Sequence, residues 1–237
     1  MTIDTATFTP TWSEEFDAPI AWGAKWVGDR SSAYRHCDHN PDDNKLDWLS
    51  PSCVTVSGGT ATFTATPADR ILENGLRAWH TGLLTTEYSE EGFRVRTGDY
   101  VETRVQLPSR VGAWPALWTW KDGRNEVDCF EYHPDNPNLL ELSNHVNCSS
   151  AYHTDPGAIA PGRWVTVGTR YGARCVEWYV NGDRVFRDGT GVGDDWSAYL
   201  ILNLSVCAGQ YHPAPNGPAP ITFAVDHVRV YRGAPRW

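Results

Sequence analysis

The sequence predicts an all-β protein built as an antiparallel β-sandwich or jelly roll, and three observations carry that prediction. Short runs rich in β-branched and aromatic residues recur along the 237-residue chain. Turn-forming residues separate these runs, with 21 glycines and 16 prolines in all. No segment has the periodicity of a convincing amphipathic helix. Evenly spaced strands punctuated by turns are typical of sandwiches and jelly rolls.

The predicted strands follow one another through most of the chain. In order they read CVTVSGGTATFTAT from residue 53, HTGLLTTEY from 80, GDYVETRVQLP from 98, RWVTVGTRYG from 163, CVEWYVNGDRVF from 175 and ITFAVDHVRVYR from 221. In the third run, Val101, Thr103 and Val105 fall on one face, and Glu102 and Arg104 on the other. This alternation is the pattern of a strand with one buried face.

Turn signals define the connections between these strands. The sequence Asn181–Asp183 is the strongest hairpin turn, and Ser57–Gly59 is another. The proline-rich segment 211–220 is predicted to be an irregular surface loop. Because neither an internal repeat nor a linker interrupts the chain, we expect one domain over residues 1–237.

The charge balance excludes some classes of partner. The net charge is −9, and no basic patch stands out to neutralise phosphate groups, so neither nucleic acid nor an anionic membrane is expected. No apolar run approaches the ~20 residues of a membrane helix. The first residues, MTIDTATFTPTW, lack a basic and an apolar signal region. The protein either stays in the cell, or an export signal was trimmed and a start Met added.

The six cysteines form no CxxC pair, and this argues against a zinc site even though His36, Cys37 and His39 are close in sequence. We expect one or two disulfides of a secreted protein, with Cys37–Cys53 as the first candidate. Cys129 is expected to be a buried thiol.

The run GRNEVDCFEYHP from residue 123 sets three acids into an otherwise apolar segment. Strict alternation places Glu126 and Asp128 on one face and Glu131 on the other. One extra residue in a β-bulge at Cys129 or Phe130 would return Glu131 to the face of the other two acids. Two glutamates leaning together could then approach the about 5–5.5 Å of a retaining glycosidase.

Three carboxylates on one face repel one another, so the pattern is costly unless it does chemistry or binds a cation. Two other interpretations stay open. The acids could lie on a solvated sheet face, although Trp and Phe surround the segment rather than Lys or Arg. They could also form a calcium site.

The sequence EVDCFE resembles the ExDxxE signature of glycoside hydrolase family 16, in its bulge-containing, laminarinase- or β-glucanase-like form. Other segments are similar to the family as well: WSEEFD from residue 12, GDYVETRVQLPSRVGAWPALWTW from 98, YLILNLSV from 199 and VDHVRVYR from 225. The similarity runs from Trp12 to Arg232. It implies a concanavalin A-like jelly roll with a substrate cleft on its concave face.

The resemblance also implies a mechanism and roles for the acids. Glu126 would be the nucleophile, Asp128 its helper, and Glu131 the general acid/base of a double displacement. The implied activity is endo-acting, retaining hydrolysis of a β-1,3- or mixed β-1,3/1,4-linked glucan. A transglycosylase with the same acids and a non-catalytic, lectin-like module are the alternatives. No cofactor is implied for catalysis, and we expect a monomer, extracellular rather than cytoplasmic.

Six further residues are candidates for sugar binding, because sugar rings stack on indoles and their hydroxyls need polar partners. They are Trp114, Trp118, His145, Asn203, Tyr211 and Trp48. Each has a structural alternative, such as core packing for Trp118 or a satisfied structural role for His145. Tyr211 in CAGQYHP stands where the family usually has an indole, a departure that bears on substrate specificity rather than on the reaction.

The family often binds a structural calcium away from the cleft. Glu15, Gly59 and Asp226 occupy the matching segments and are the expected ligands.

Overall fold

The computed structural model describes residues 2–3, 5, 8–41 and 44–233. These residues form seventeen β-strands, and the one helical element among them is a 3-10 turn at Pro51–Cys53. In the described part of the chain, no helix has the length and apolar character to cross a membrane.

The strands are numbered in chain order. They are β1 Trp12–Glu14, β2 Asp47–Leu49, β3 Val54–Ser57, β4 Thr60–Ile71, β5 Arg77–Thr81, β6 Leu83–Thr85, β7 Val95–Arg96, β8 Tyr100–Gln106, β9 Ala113–Trp120, β10 Val127–Tyr132, β11 Leu139–Asn144, β12 Ser149–Thr154, β13 Trp164–Tyr171, β14 Val176–Val180, β15 Asp183–Arg187, β16 Ser197–Val206 and β17 Ile221–Tyr231.

The strands form two sheets. The larger has the order β15-β14-β13-β8-β17-β4-β5-β2, with β1 beside β17 and β3 beside β4. The smaller has the order β12-β11-β10-β9-β16-β6, with β7 beside β16. Pairing between the strands is antiparallel except for β2 with β5. This is the predicted β-sandwich, and the acidic segment lies in the interior of the smaller sheet.

The apolar faces of the two sheets enclose the main core. Trp178 of the larger sheet and Phe130 of the acidic strand are both fully buried in it. The Trp178 indole N–H donates a hydrogen bond of 2.8 Å to the backbone carbonyl of Asp128. A core residue of one sheet thereby fixes the backbone of the other at the acidic strand.

Both predicted turns are confirmed as tight hairpins. Gly58 and Gly59 join β3 to β4 with φ of 58° and 73°, and Asn181 and Gly182 join β14 to β15 with φ of 49° and 86°. Left-handed backbone favours glycine and asparagine, which explains the residue types at these turns. The segment 211–220 contains no strand, as predicted.

The expected Cys37–Cys53 disulfide is wrong, because all six cysteines are free in the structure. Cys37 is exposed on a loop, whereas Cys53 is buried at the end of the 3-10 turn. The expectation that Cys129 is a buried thiol is confirmed, and burial raises its pKa to about 12.

Candidate active site

The acidic strand β10 contains the predicted bulge. Against β9, Asp128 pairs with Trp118 and Phe130 with Leu117, so Cys129 is the extra residue. Against β11, Asp128 pairs with Ser143 and Glu131 with Glu141, a step of three residues against two. The side-chain alternation therefore slips by one residue between the second and the third acid.

The slip brings the three acids to one surface. Glu126, Asp128 and Glu131 all line a cavity of about 360 Å³ on the exposed face of the smaller sheet. Cys129 and Phe130, between them, point into the core. We name this space the acid cavity. The acids are thus neither scattered over a solvated face nor divided between the two faces of the sheet.

Asp128 is the buried member of the three acids, and His145 is its partner. The imidazole Nε2 of His145 lies 3.1 Å from Oδ2 of Asp128. One carboxylate oxygen each of Glu126 and Asp128 and one imidazole nitrogen of His145 all lie within 4.8 Å of one another. The backbone N–H of His145 also donates to the carbonyl of Glu126, which fixes the loop after β11 beside the acids.

The two partners have shifted proton affinities. The hydrogen bond to Asp128 raises the pKa of His145 to about 9, which favours the protonated imidazole whenever Asp128 is ionised. Burial, reinforced by the charge of Glu131, raises the pKa of Asp128 to about 8. A protonated imidazole supplies the positive charge that a calcium ion would bring, which disfavours a calcium site on these acids.

Trp114 contacts the last acid directly. Its indole N–H donates a hydrogen bond of 2.9 Å to Oε1 of Glu131. Both residues also line a second cavity of about 440 Å³, so their side chains form a wall that the two cavities share. The indole therefore orients the Glu131 carboxylate at the junction of the two cavities.

Trp118 and Asn203 belong to a buried polar network under the acid cavity. The Trp118 indole donates to Asn203 at 2.8 Å, and the Asn203 amide donates to Ser205 at 2.7 Å. The Ser205 hydroxyl in turn donates to Asp47 at 2.6 Å, as does the Tyr34 hydroxyl at 2.7 Å. Both candidates line the cavity, and the network fixes their orientation.

Lys45 enters the same cavity above the aromatic rings. Its ammonium lies 4.6 Å from the ring centroid of Trp114, 5.6 Å from that of Trp118 and 5.7 Å from that of Tyr34. These distances are typical of cation–π contacts. A sugar that stacks on either indole must share the ring with this cation.

The exposed ring of the candidate Tyr211 lines the second cavity, which also contains a polar cluster. His212 stacks on His133 with ring centroids 3.5 Å apart and lies 2.9 Å from Asp135. Burial lowers the pKa of His133 to about 3, so this imidazole is neutral. Glu141 completes the cluster, 3.5 Å from His212.

Trp48 is the one sugar-binding candidate that the structure does not bring to either cavity. Its ring stacks on His39 with ring centroids 4.2 Å apart, and the guanidinium of Arg70 lies 4.2 Å from the Trp48 ring centroid. The ring is half-buried between these two side chains. Trp48 directly follows the network residue Asp47 on β2, so strand alternation points the two side chains to opposite faces.

The expected calcium ligands lie away from the cleft, but their carboxylates already have cationic partners. Glu15 forms two hydrogen bonds with Arg229, at 3.0 and 2.7 Å. Asp226 forms an ion pair of 3.1 Å with Arg104. Gly59 lies in the β3–β4 turn near Asp17. These residues do not fit a calcium site without displacement of the arginines, and the calcium site stays a prediction.

Sequence reasoning missed several residues of the two cavities. Lys45 of the acid cavity and Asp47 of the buried network beneath it lie in a segment that does not resemble the family's, and His133 and His212 of the second cavity lie outside the strands. The one available signal was the run HPD directly after the acidic strand, at His133 to Asp135. Nothing in the sequence indicates that the loop carrying His212 folds back onto it.

The jelly roll with its acid-lined cleft resembles the proteins of glycoside hydrolase family 16, and comparison with solved structures shows the shared fold. The catalytic domain of an endo-1,3-β-glucanase (laminarinase) from Thermotoga petrophila superposes with a TM-score of 0.78 at 21% identity, over 94% of this chain and 97% of that one. A non-specific endo-β-1,3(4)-glucanase from family GH16 gives 0.76 at 24% identity, over 98% and 94%. No family model matches the chain.

Curated relatives point the same way. Endo-1,3-1,4-β-glycanase EglC of Rhizobium meliloti is 26% identical over 258 residues, covering 98% of this chain and 53% of that protein. A β-glucanase of Rhodothermus marinus is 29% identical over 165 residues, 55% of this chain and 56% of that one. The chain spans about half the length of these relatives. It is laminarinase- and β-glucanase-like in sequence and fold, which confirms the resemblance stated from its motifs.

Proposed function

We propose that this protein is an endo-acting glycoside hydrolase that cleaves β-1,3- or mixed β-1,3/1,4-linked glucan. The observation that carries the proposal is the convergence of Glu126, Asp128 and Glu131 on one cavity through the bulge at Cys129. The activities for which the relatives are named, endo-1,3-1,4-β-glycanase and β-glucanase, support the substrate class.

The proposed reaction is a double displacement with retention of configuration. Glu126 attacks the anomeric carbon while Glu131 gives its proton to the glycosidic oxygen, and the bond to the leaving sugar breaks. Glu131 then takes a proton from water, which attacks the glycosyl-enzyme and frees Glu126. The indole of Trp114 holds the Glu131 carboxylate during both steps.

We propose that Asp128 and His145 together limit the net negative charge next to the nucleophile. Crowded carboxylates would otherwise compete for protons, so that the nucleophile would not stay ionised. The imidazolium beside Asp128 offsets one negative charge within 4.8 Å of Glu126. Because the pKa of Asp128 is also raised, one proton shared by the Asp128 carboxyl and the His145 imidazole leaves this pair without net negative charge next to an ionised Glu126.

The position of the two cavities on either side of the acids supports internal cleavage of a polymer. The second cavity is lined by residues of β11 and β12, and the acid cavity by residues of β9, β10 and β16. The acids therefore have binding space on both sides along the order of strands in the smaller sheet. A chain lying across the sheet would place sugar units on either side of the bond that breaks.

A glucan too large to enter a cell favours an extracellular location, and this stays a proposal, as does a monomeric state. The free cysteines remove the disulfide argument that the sequence offered for secretion.

The test is incubation with laminarin, lichenan and agarose, with reducing ends measured over time. We expect release from laminarin or lichenan, and a loss of about a thousandfold in Glu126→Gln and in Glu131→Gln because each lacks one partner of the displacement. Both variants should keep the far-ultraviolet spectrum of the wild type. Binding without release by the wild type would favour a lectin-like module, and products longer than the substrate a transglycosylase. A fully active Glu126→Gln variant would remove Glu126 from the nucleophile role.

A further inference from the structure

A third cavity, of about 240 Å³, lies outside the two that hold the acids and their neighbours. Trp22, Gly28, Arg30 and Tyr88 line it, and we name it the distal aromatic cavity. Two large hydrophobic side chains of this cavity are exposed, Trp22 by 39% and Tyr88 by 50%. Exposed aromatic rings in one cavity mark a binding surface more often than isolated ones do.

The distal aromatic cavity continues the line of the cleft across the smaller sheet. In that sheet β10 is followed by β9, β16 and the edge strand β6. Val27, next to Gly28, exchanges both backbone hydrogen bonds with Thr85 of β6. Four steps between neighbouring strands separate β10 from this segment, roughly 19 Å at about 4.8 Å a step.

The segment 28–33 connects the two cavities directly. Arg30 lines the distal aromatic cavity, and Ala33 lines the acid cavity. Between them, Ser32 donates from its N–H and its hydroxyl to the Glu87 carboxylate, at 3.0 and 2.7 Å. The Trp120 indole, on the wall of the acid cavity, donates to the same hydroxyl at 3.1 Å. The two cavities therefore share this segment as a wall.

The two exposed rings are held in place before any ligand arrives. Backbone hydrogen bonds from Glu90 to the carbonyl of Gly23, at 2.8 Å, and from Glu91 to that of Ala24, at 3.0 Å, join the turns that carry them. The Trp22 indole lies against Gly28, where an added Cβ would come within 2.5 Å of the ring.

Tyr88 is also fixed by its own backbone and by a cation. Its φ is 64°, a left-handed conformation that is uncommon for a bulky residue and is found at binding sites. The guanidinium of Arg30 lies 5.3 Å from the phenol ring centroid. The rings and the adjacent donors thus offer an apolar platform with polar groups at its edge.

We propose that the distal aromatic cavity binds sugar units of the same β-glucan chain that the acids cleave, several units away from the reacting bond. The inference rests on the proposed function. A neutral carbohydrate fits exposed aromatic rings next to hydrogen-bond donors, and the net charge of −9 does not favour a polyanion. The shared wall at residues 28–33 makes the cavity a continuation of the cleft rather than a separate surface.

The experiment compares affinity for a short and a long ligand, laminaritriose and laminariheptaose, in a Glu126→Gln background measured by calorimetry. We expect Trp22→Ala and Tyr88→Ala each to weaken heptaose binding by about fivefold, the order of one aromatic contact. Triose binding should not change. Gly28→Ala should produce the same loss with the indole still present, because its methyl group would come within 2.5 Å of the ring. Since the methyl group would also lie 2.9 Å from the Leu83 carbonyl oxygen, the melting temperature of this variant is measured alongside. Ile71→Ala, an exposed hydrophobic residue outside the cavities, is the control.

The outcomes separate this proposal from the proposed function. If Trp22→Ala and Tyr88→Ala both fold and both bind heptaose as tightly as the Glu126→Gln parent, the distal aromatic cavity does not bind glucan. Cleavage of glucan by the wild type would be unaffected by that result. An equal loss of affinity for triose and heptaose would also contradict the proposal, since the two rings would then affect the sugar units bound next to the acids. A wild type that releases no reducing ends from any glucan would instead overturn the proposed function.

Discussion

Asp128 differs from the other two acids of the cleft in being nearly inaccessible to water. Its neighbours act in opposite directions, because burial and the charges of Glu131 and Glu126 favour the protonated carboxyl, whereas His145 favours the ionised one. The net effect raises its pKa to about 8. A carboxyl that stays neutral beside ionised neighbours can donate a hydrogen bond to one of them.

This shift predicts how stability depends on pH. With a folded pKa of about 8, Asp128 binds a proton in the folded state over a range where the unfolded chain has lost it, so its contribution to stability falls as pH rises through that range. Asp128→Asn does not titrate. Its melting temperature relative to wild type should therefore increase between about pH 5 and about pH 8.

Asp194→Asn, at an exposed turn, serves as the control and should show no such trend. A difference between Asp128→Asn and wild type that is constant over the whole range would mean that Asp128 is ionised in the folded protein.

At the scale of one element, the bulge in β10 decides what the acids can do. Cys129 is the residue without a partner in β9, and its side chain is fully buried. Deletion of Cys129 should restore strict alternation and turn Glu131 to the opposite face. We expect kcat to fall by about a thousandfold, to the level of Glu131→Gln, because the acid/base group is lost.

Cys129→Ala is the matched control, since it keeps the extra backbone residue and loses only the thiol. It should retain most of the activity. A deletion variant that is folded by circular dichroism and fully active would contradict the role of the bulge.

The contrast between predicted and unpredicted elements has a physical reason. Some features depend only on residues adjacent in sequence and can therefore be predicted from a short segment. They are the alternation in β8, the turns at Gly58–Gly59 and Asn181–Gly182, and the bulge. The network of Asp47 depends on Ser205, 158 residues away. No local pattern encodes such a contact.

The same distinction applies within the site. The acids and Trp114 lie in adjacent segments whose strand pattern can be recognised in the sequence, and the family resemblance pointed to the same residues. Lys45 and His212 come from loops whose path over the cleft depends on tertiary packing. The disulfide expectation was wrong for a related reason, since the spacing of two cysteines does not fix the distance between them.

At the scale of the whole molecule, calcium is the remaining question about stability. The expected ligands Glu15 and Asp226 pair with Arg229 and Arg104, so the carboxylates are already neutralised. We therefore expect the melting temperature to be the same in excess calcium and in excess chelator. A fall in chelator that added calcium reverses would show that the arginines give way to an ion.

The proposed function depends on Glu126 becoming covalently attached to the sugar while Glu131 stays free. A laminaribiosyl fluoride with fluorine at position 2 of the reacting sugar slows the second displacement and lets the glycosyl-enzyme accumulate. Digestion and mass spectrometry then identify the modified residue. The account predicts a single added glycosyl group on Glu126, absent in Glu126→Gln. A label on Glu131 or Asp128, or inactivation without any covalent label, would contradict it.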